Sequence, residues 1–365
     1  MRIAIVHDFL NQFGGAERVI SALHEIWPEA PIYTSIYDQR RLPDVFRQMD
    51  IKVSFMQQLP FIFALYKYYF WLYPLAFEKF DLSEYDIILS SSSAYAKGVK
   101  KQPNQVHLCY CYTPMRFVWR FEDYLLREKV PGFLKKILLY LLEPIKQWDL
   151  QNSKTVNRFI AISRIIAKRI KQTYGRESDI IYPPVETKLF QQSTTDMDYF
   201  LVVSRLNAYK RIDLVVKAFN HLDIPLKIIG DGPVKADLQR LAGPNTEFLG
   251  RLPDQQIRHY LAECRALIFP GEEDFGIVPV EAMSCGRPVI AFKAGGALET
   301  VIEGETGLFF NEPTADSLIK AIRRFQFMNF NKQKIRDHAL GFDKEIFKRQ
   351  IKDLVEQAYG QRKNN

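Results

Sequence analysis

The sequence predicts an α/β chain built of two doubly wound domains, and three observations predict it. Short apolar runs alternate with amphipathic segments along most of the 365 residues. The runs are unbroken stretches rich in Val, Ile and Leu, which parallel strands buried on both faces require. A proline-containing, apolar-poor break divides the chain near 183–197, and two domains of roughly 100–200 residues each suit the length.

In the first half the runs at 3–6, 32–36, 87–89, 106–110 and 159–162 read as strands. In the second half those at 200–203, 226–229, 246–249, 266–269 and 289–292 are clearer, and each precedes a segment that reads as a helix. Pro183-Pro184 stops regular structure, residues 191–195 (Gln-Gln-Ser-Thr-Thr) suit a linker, and a fresh strand opens at Tyr199. Disorder is expected only at 361–365.

Cys109, Cys111, Cys264 and Cys285 form no Cys-x-x-Cys pair and have no histidine cluster beside them, so neither a zinc site nor a disulfide framework is expected. Buried free thiols in a reducing compartment are. Met1-Arg2 leads directly into the strand at 3–6, too short a run for a secretion signal.

The net charge of +8 is uneven: residues 1–185 hold 25 Lys/Arg against 18 Asp/Glu, and residues 186–365 hold 25 against 24. The excess in the first half suits anionic lipid headgroups or a phosphorylated acceptor, or equally a solvated basic face. No nucleic-acid recognition motif is present. Residues 60–77 are densely aromatic and near spanning length, but Lys67 and Pro74 interrupt them, and residues 133–142 set Lys135 and Lys136 against an apolar face. Both stretches suit the membrane headgroup zone. The alternative is an aromatic helix packed in the core.

The strongest chemical signal is Glu273-Asp274-Phe275-Gly276-Ile277-Val278-Pro279-Val280-Glu281, after the strand at 266–269 and the turn Pro270-Gly271. Glu281 falls in a helix and Glu273 in the loop before it. Amides at Phe275–Val278 would open that helix, where a diphosphate is stabilised, while the carboxylates accept from sugar and ribose hydroxyls. Arg205 and Lys210 follow the strand at 200–203 and can clamp two phosphates, a fork and a point charge; a solvated basic turn is the plainer meaning of such a pair. Gly230-Asp231-Gly232-Pro233 permits close backbone approach or is a plain turn, and Gly295-Gly296 follows the strand at 289–292. In the first half, Gly14-Gly15-Ala16-Glu17-Arg18 opens a helix after the first strand without being Gly-x-Gly-x-x-Gly, so no nicotinamide fingerprint is present. Asp196-Met197-Asp198 has the form of a metal motif, but it lies in the linker and reads as chance.

Together these pieces resemble glycosyltransferase family 4, with its two-domain GT-B fold of Rossmann-like domains facing across a cleft. The most specific part is the Glu273-x7-Glu281 element with Cys285-Gly286-Arg287-Pro288, Gly295-Gly296 and Gly304-Glu305-Thr306-Gly307. The resemblance implies an acceptor-binding domain at 1–185, a nucleotide-sugar domain at 198–342, and a last helix near 343–360 that returns to the first domain. It places Arg205 and Lys210 on the diphosphate, Glu281 on the ribose, Glu273 near the transferred sugar, backbone of Gly276 and Ile277 beside it, and the base near Arg251 and Leu252. Gly14 and Gly15 resemble the family's donor-side glycine loop.

The stretch from His107 to Trp119, with Tyr112-Thr113-Pro114-Met115-Arg116, is similar to bacterial mannosyltransferases of O-antigen and exopolysaccharide assembly. Many of these carry His where this chain has Tyr112. Tyr112, Arg116 and His107 are the acceptor-side candidates, His107 being more plausibly structural. The implied activity is retaining transfer of a hexose, mannose by resemblance, from a nucleotide-diphosphate sugar such as GDP-mannose to a glycan or polyprenyl-linked acceptor. The implied location is the cytoplasmic face of the cell membrane. No metal or other cofactor is expected, since Arg205, Lys210 and the helix start can stabilise the leaving group. A GT-B-like epimerase or phosphorylase, or a non-catalytic assembly subunit, are the alternatives.

Overall fold

The computed structural model describes residues 1–120 and 132–362. The chain divides into two compact units, Met1–Pro184 with Phe347–Asn365, and Val185–Ile346. The first holds seven parallel strands: β1 (Ile3–His7), β2 (Ile32–Thr34), β3 (Ile51–Val53), β4 (Ile87–Ser92), β5 (Val106–Cys111), β6 (Arg158–Ala161) and β7 (Ser178–Ile180), in the order β3-β2-β1-β4-β5-β6-β7. The second holds β8 (Phe200–Val203), β9 (Leu226–Ile229), β10 (Thr246–Gly250), β11 (Ala266–Phe269), β12 (Val289–Phe292) and β13 (Gly307–Phe310), ordered β10-β9-β8-β11-β12-β13 and again parallel.

Ten strands fall where apolar runs predict them. The other three, β3, β7 and β13, are all sheet edges; β3 and β7 lack the buried pattern that marks a strand in sequence, whereas β13 is buried. β4 runs three residues past its apolar run, through Ser90-Ser91-Ser92. Those serines are buried, and two of them pair with side chains on neighbouring strands, Ser90 with His107 and Ser91 with His7.

In the second unit, Leu214, Val216, Phe219, Leu318 and Ile322 bury helix faces against β8, β9 and β13. Each such side chain contributes about 1.5–3 kcal/mol. The ends of this unit meet. Lys344 N–H donates to Val185 O at 2.9 Å, Val185 N–H donates to Phe342 O at 3.3 Å, and Thr187 Oγ1 donates to Asp343.

In the first unit, the helix Lys344–Arg362 buries Phe347, Ile351 and Val355, with the Phe347 ring 5.6 Å from Tyr110 on the sheet. Gln361 and Arg362 thus belong to a helix, and Arg362 pairs with Asp86 at 2.7 Å. The aromatic stretch 60–77 is not one helix. It forms Ile62–Leu65 and Tyr73–Glu78, joined by turns. Ile62, Tyr73, Ala76 and Phe77 enter the core with Val6 and Ile88, while Phe61, Tyr68, Trp71 and Leu75 are exposed. Most of the second amphipathic stretch, the side chains of 133–139, lies outside the described residues. All four cysteines are free and buried, and burial pushes the Cys264 and Cys285 thiols up to about 12.

Candidate active site

Each sheet reverses its strand order once, between β1 and β4 and between β8 and β11. Loops leaving the carboxyl ends of the strands diverge at such a point and leave room for a ligand. The expected donor residues occupy this rim of the second sheet. Arg205 and Lys210 follow β8, Gly230 follows β9, Arg251 and Leu252 follow β10, and Glu273–Ile277 follow β11.

Lys210 ends a single 3-10 turn, Ala208–Lys210, and its ammonium lies 2.5 Å from the Glu273 carboxylate, with the side chains 14% and 24% exposed. The loops on either side of the switch point therefore meet through a charged pair. A half-buried ammonium can turn to a phosphate and a half-buried carboxylate to a hydroxyl, which is chemistry suited to opposite ends of one ligand. Arg211, next in the chain, holds a left-handed φ of 56°. Its guanidinium is tied to Asp213 at 3.2 Å and to Pro313 O at 3.3 Å, which fixes a conformation that a side chain other than glycine rarely adopts.

Glycines let these loops pack. At Gly230, with φ 136°, a Cβ would lie 1.8 Å from Ser204 O, so only glycine lets the β9 loop touch the β8 loop. At Gly296 a Cβ would lie 2.2 Å from the Phe275 backbone, and the Gly296 amide donates to Glu273 O at 2.8 Å. The β12 loop thereby holds Glu273 from behind. Gly276 precedes the helix Ile277–Ser284, which carries Glu281 on a buried face at 6% exposure. At the far end of that helix Arg336 donates to Ser284 O and to Phe190 O, anchoring it. Phe275 is 3% exposed with its ring 5.8 Å from Phe342, so only its backbone can meet a ligand. Arg205 and Arg251 are exposed and Leu252 is half-buried.

The Asp-x-Asp carboxylates are engaged elsewhere. Asp196 pairs with Arg287 and Lys332, each at 2.6 Å, and Asp198 pairs with Arg265 at 2.9 Å. The Lys332 hydrogen bond, together with Arg287, holds the Asp196 carboxyl below its usual range. Among the described residues no group of three or more His, Cys, Asp or Glu could hold a metal ion.

In the first unit Gly14 follows β1 and Gly15 opens the helix Gly15–Ile26. Tyr112 and Arg116 follow β5, Arg116 exposed on a single helical turn. Tyr112 Oη donates to Ala16 O at 3.2 Å, so Tyr112 and the glycine loop are brought together. His107 is not with them. It lies in the amino half of β5, fully buried, with Nε2 2.8 Å from Ser90 Oγ. Burial pushes its pKa down to about 3, so the ring stays neutral, and at 0% exposure it cannot meet a ligand at the rim.

Asp8, passed over in the sequence, organises this rim. Its carboxylate accepts the amides of Ser93 (2.6 Å), Ala94 (2.9 Å), Tyr95 (2.7 Å) and Ala96 (2.7 Å), and the Ser93 hydroxyl (3.1 Å). An acidic residue directly after a buried strand was the available signal. Its partners, 85 to 88 positions away, were not.

Residues 185–336 match the family model of glycosyl transferases group 1. An uncharacterized glycosyltransferase of Methanocaldococcus jannaschii is 28% identical over 46% of this chain and 48% of its own length, so the chain spans about half of that relative. The α-1,3/1,6-mannosyltransferase ALG2 of Dictyostelium discoideum is 25% identical over 89% of each chain. The crystal structure of Anabaena HepE in complex with UDP aligns with a TM-score of 0.72 over 98% of this chain and 100% of its own, at 17% identity, a likeness of fold. The likeness of fold thus extends over both units, and the group 1 glycosyl transferase match covers residues 185–336 of the second.

Proposed function

We propose that this chain transfers a hexose, mannose in the first instance, from a nucleotide-diphosphate sugar to a glycan or polyprenyl-linked acceptor in surface polysaccharide synthesis, retaining anomeric configuration. The observation that carries this reading is the Lys210–Glu273 pair at the switch point of the second sheet, inside the segment that matches the family. The C1–O bond to the diphosphate breaks as the acceptor oxygen bonds C1 on the same face. The acceptor's proton passes to the departing phosphate oxygen, so no protein nucleophile is needed.

Negative charge grows on that phosphate. In this reading Arg205, Lys210 and the amides of Gly276 and Ile277 stabilise it, in place of a metal ion. Glu273 accepts from a sugar hydroxyl, Glu281 from the ribose, and Arg251 and Leu252 border the base. Mannose is supported by the activity named for the Dictyostelium relative, and GDP-mannose is the donor to try first. Contact with the inner face of the cell membrane is supported by exposed Phe61, Tyr68 and Trp71 and by the basic first half. Among the described residues no helix is long and apolar enough to cross a membrane.

The test is a transfer assay with GDP-mannose, with UDP-glucose alongside, in the presence of EDTA. The product's anomeric configuration is read by NMR. Lys210→Ala and Glu273→Ala should each lower turnover by about 100-fold or more while keeping the wild-type melting profile. A donor at 100 times its Kd should add roughly 2.7 kcal/mol of stability. Near wild-type turnover in either variant, or an inverted product, would sink the reading.

A further inference from the structure

We infer that Tyr112 is a positioning residue: its hydroxyl, held by Ser91 and His7, locks the first turn of the helix Gly15–Ile26, and with it the Gly14-Gly15 loop, to the switch point of the first sheet. Its consequence for transfer rests on the function proposed above; the lock itself does not.

Strand register pairs His7 with Ser91 and Ser91 with Tyr110. Their side chains therefore share one face of the sheet, and Tyr112, two residues beyond Tyr110, returns to it. The polar atoms on this face form a chain whose direction is set by its carbonyls, which can only accept. His7 Nδ1 lies 3.1 Å from Ser91 O and must carry the hydrogen, which Ser91 Oγ at 3.0 Å shares. Ser91 Oγ then donates to Tyr112 Oη at 2.8 Å, and Tyr112 Oη donates to Ala16 O at 3.2 Å. The phenol is thus donor and acceptor at once, both within its own unit. Burial raises its pKa well above the usual value, which keeps the donated proton in place.

A second buried contact reaches the same turn. His7 Nε2 lies 3.9 Å from Glu17 Oε1, and both side chains are 3% exposed. Ala16 is therefore fastened through Tyr112 to β4, and the Glu17 carboxylate lies beside His7 of β1. Histidine at position 112 could not replace the phenol. Imidazole donates and accepts on two atoms that point apart, so one link would open.

Hydrogen exchange on the full-length protein tests the lock. The wild type, Tyr112→Phe, Ser91→Ala and the double variant are compared over residues 14–20, with 212–219 in the other unit as the internal reference. Each single variant should speed exchange in 14–20 about tenfold and leave 212–219 unchanged. The double variant should be no faster than either single, because one chain is broken once. Unchanged exchange in 14–20 in both single variants, or additive effects in the double, would overturn the inference. With GDP-mannose as donor, Tyr112→Phe should raise KM more than it lowers kcat; a loss confined to kcat would place Tyr112 on the reacting atoms instead. If the wild type turns over no sugar nucleotide, the proposed function fails while the exchange experiment still decides the lock.

Discussion

Two histidines on the strands that flank β4 differ in what faces them. His7 meets a hydroxyl, a carbonyl and a carboxylate, whereas His107 has one serine, and its Nδ1 is buried without a partner. The folded state therefore holds His107 neutral down to about pH 3, while the unfolded chain takes a proton below about 6.5. Between those values unfolding gains a proton as pH falls, so stability is complete above 6.5 and declines below it, by at most roughly 1.4 kcal/mol per pH unit. His107→Gln should flatten that decline. Urea unfolding of the first unit from pH 7 to pH 4.5 measures it, and equal slopes in wild type and variant would refute burial as the cause. The sequence marked His107 as structural, but not which partner it meets, and gave no sign of His7's role. Position along a strand does not say which polar atoms the next strand presents, and the Ser90-Ser91-Ser92 run that serves both reads as the end of an apolar segment. Lys210 and Glu273 were legible as residues of one rim, but their contact depends on how the loops after β8 and β11 approach each other.

At the scale of elements, the aromatic stretch 60–77 was the least decidable from sequence, because an all-apolar pattern has no periodicity to say which side faces in. The fold resolves it residue by residue: Ile62, Tyr73 and Phe77 pack inward, while Phe61 is 80% and Tyr68 77% exposed. The outward set is the part available to a lipid surface, and Lys67 lies among it. Phe61→Ser combined with Trp71→Ala should weaken sedimentation with vesicles containing phosphatidylserine by about tenfold and leave the melting profile of the first unit in place. Equal binding by this variant and the wild type would remove the stretch as a membrane contact. Edge strands escaped the sequence for the converse reason. β3 presents Lys52 and Val53 to solvent and β7 presents Ile180, so neither carries the buried pattern that marks a central strand.

For the whole molecule, the chain leaves the first unit after Pro184 and rejoins it at Phe347. The first unit is therefore incomplete without the helix that runs on from Phe347. Deleting residues 347–365 should abolish its cooperative melting, since Phe347, Ile351 and Val355 each remove about 1.5–3 kcal/mol of burial. The second unit should melt unchanged. Calorimetry separates the two, and a deletion that left both transitions intact would show the final helix to be dispensable. The clasp at Val185 and Asp343 has a wider consequence. Because the segment between them begins and finishes at one spot, it is a self-closed cassette threaded into its host. Such a piece can be traded between lineages, or grafted by an engineer, without unravelling what surrounds it.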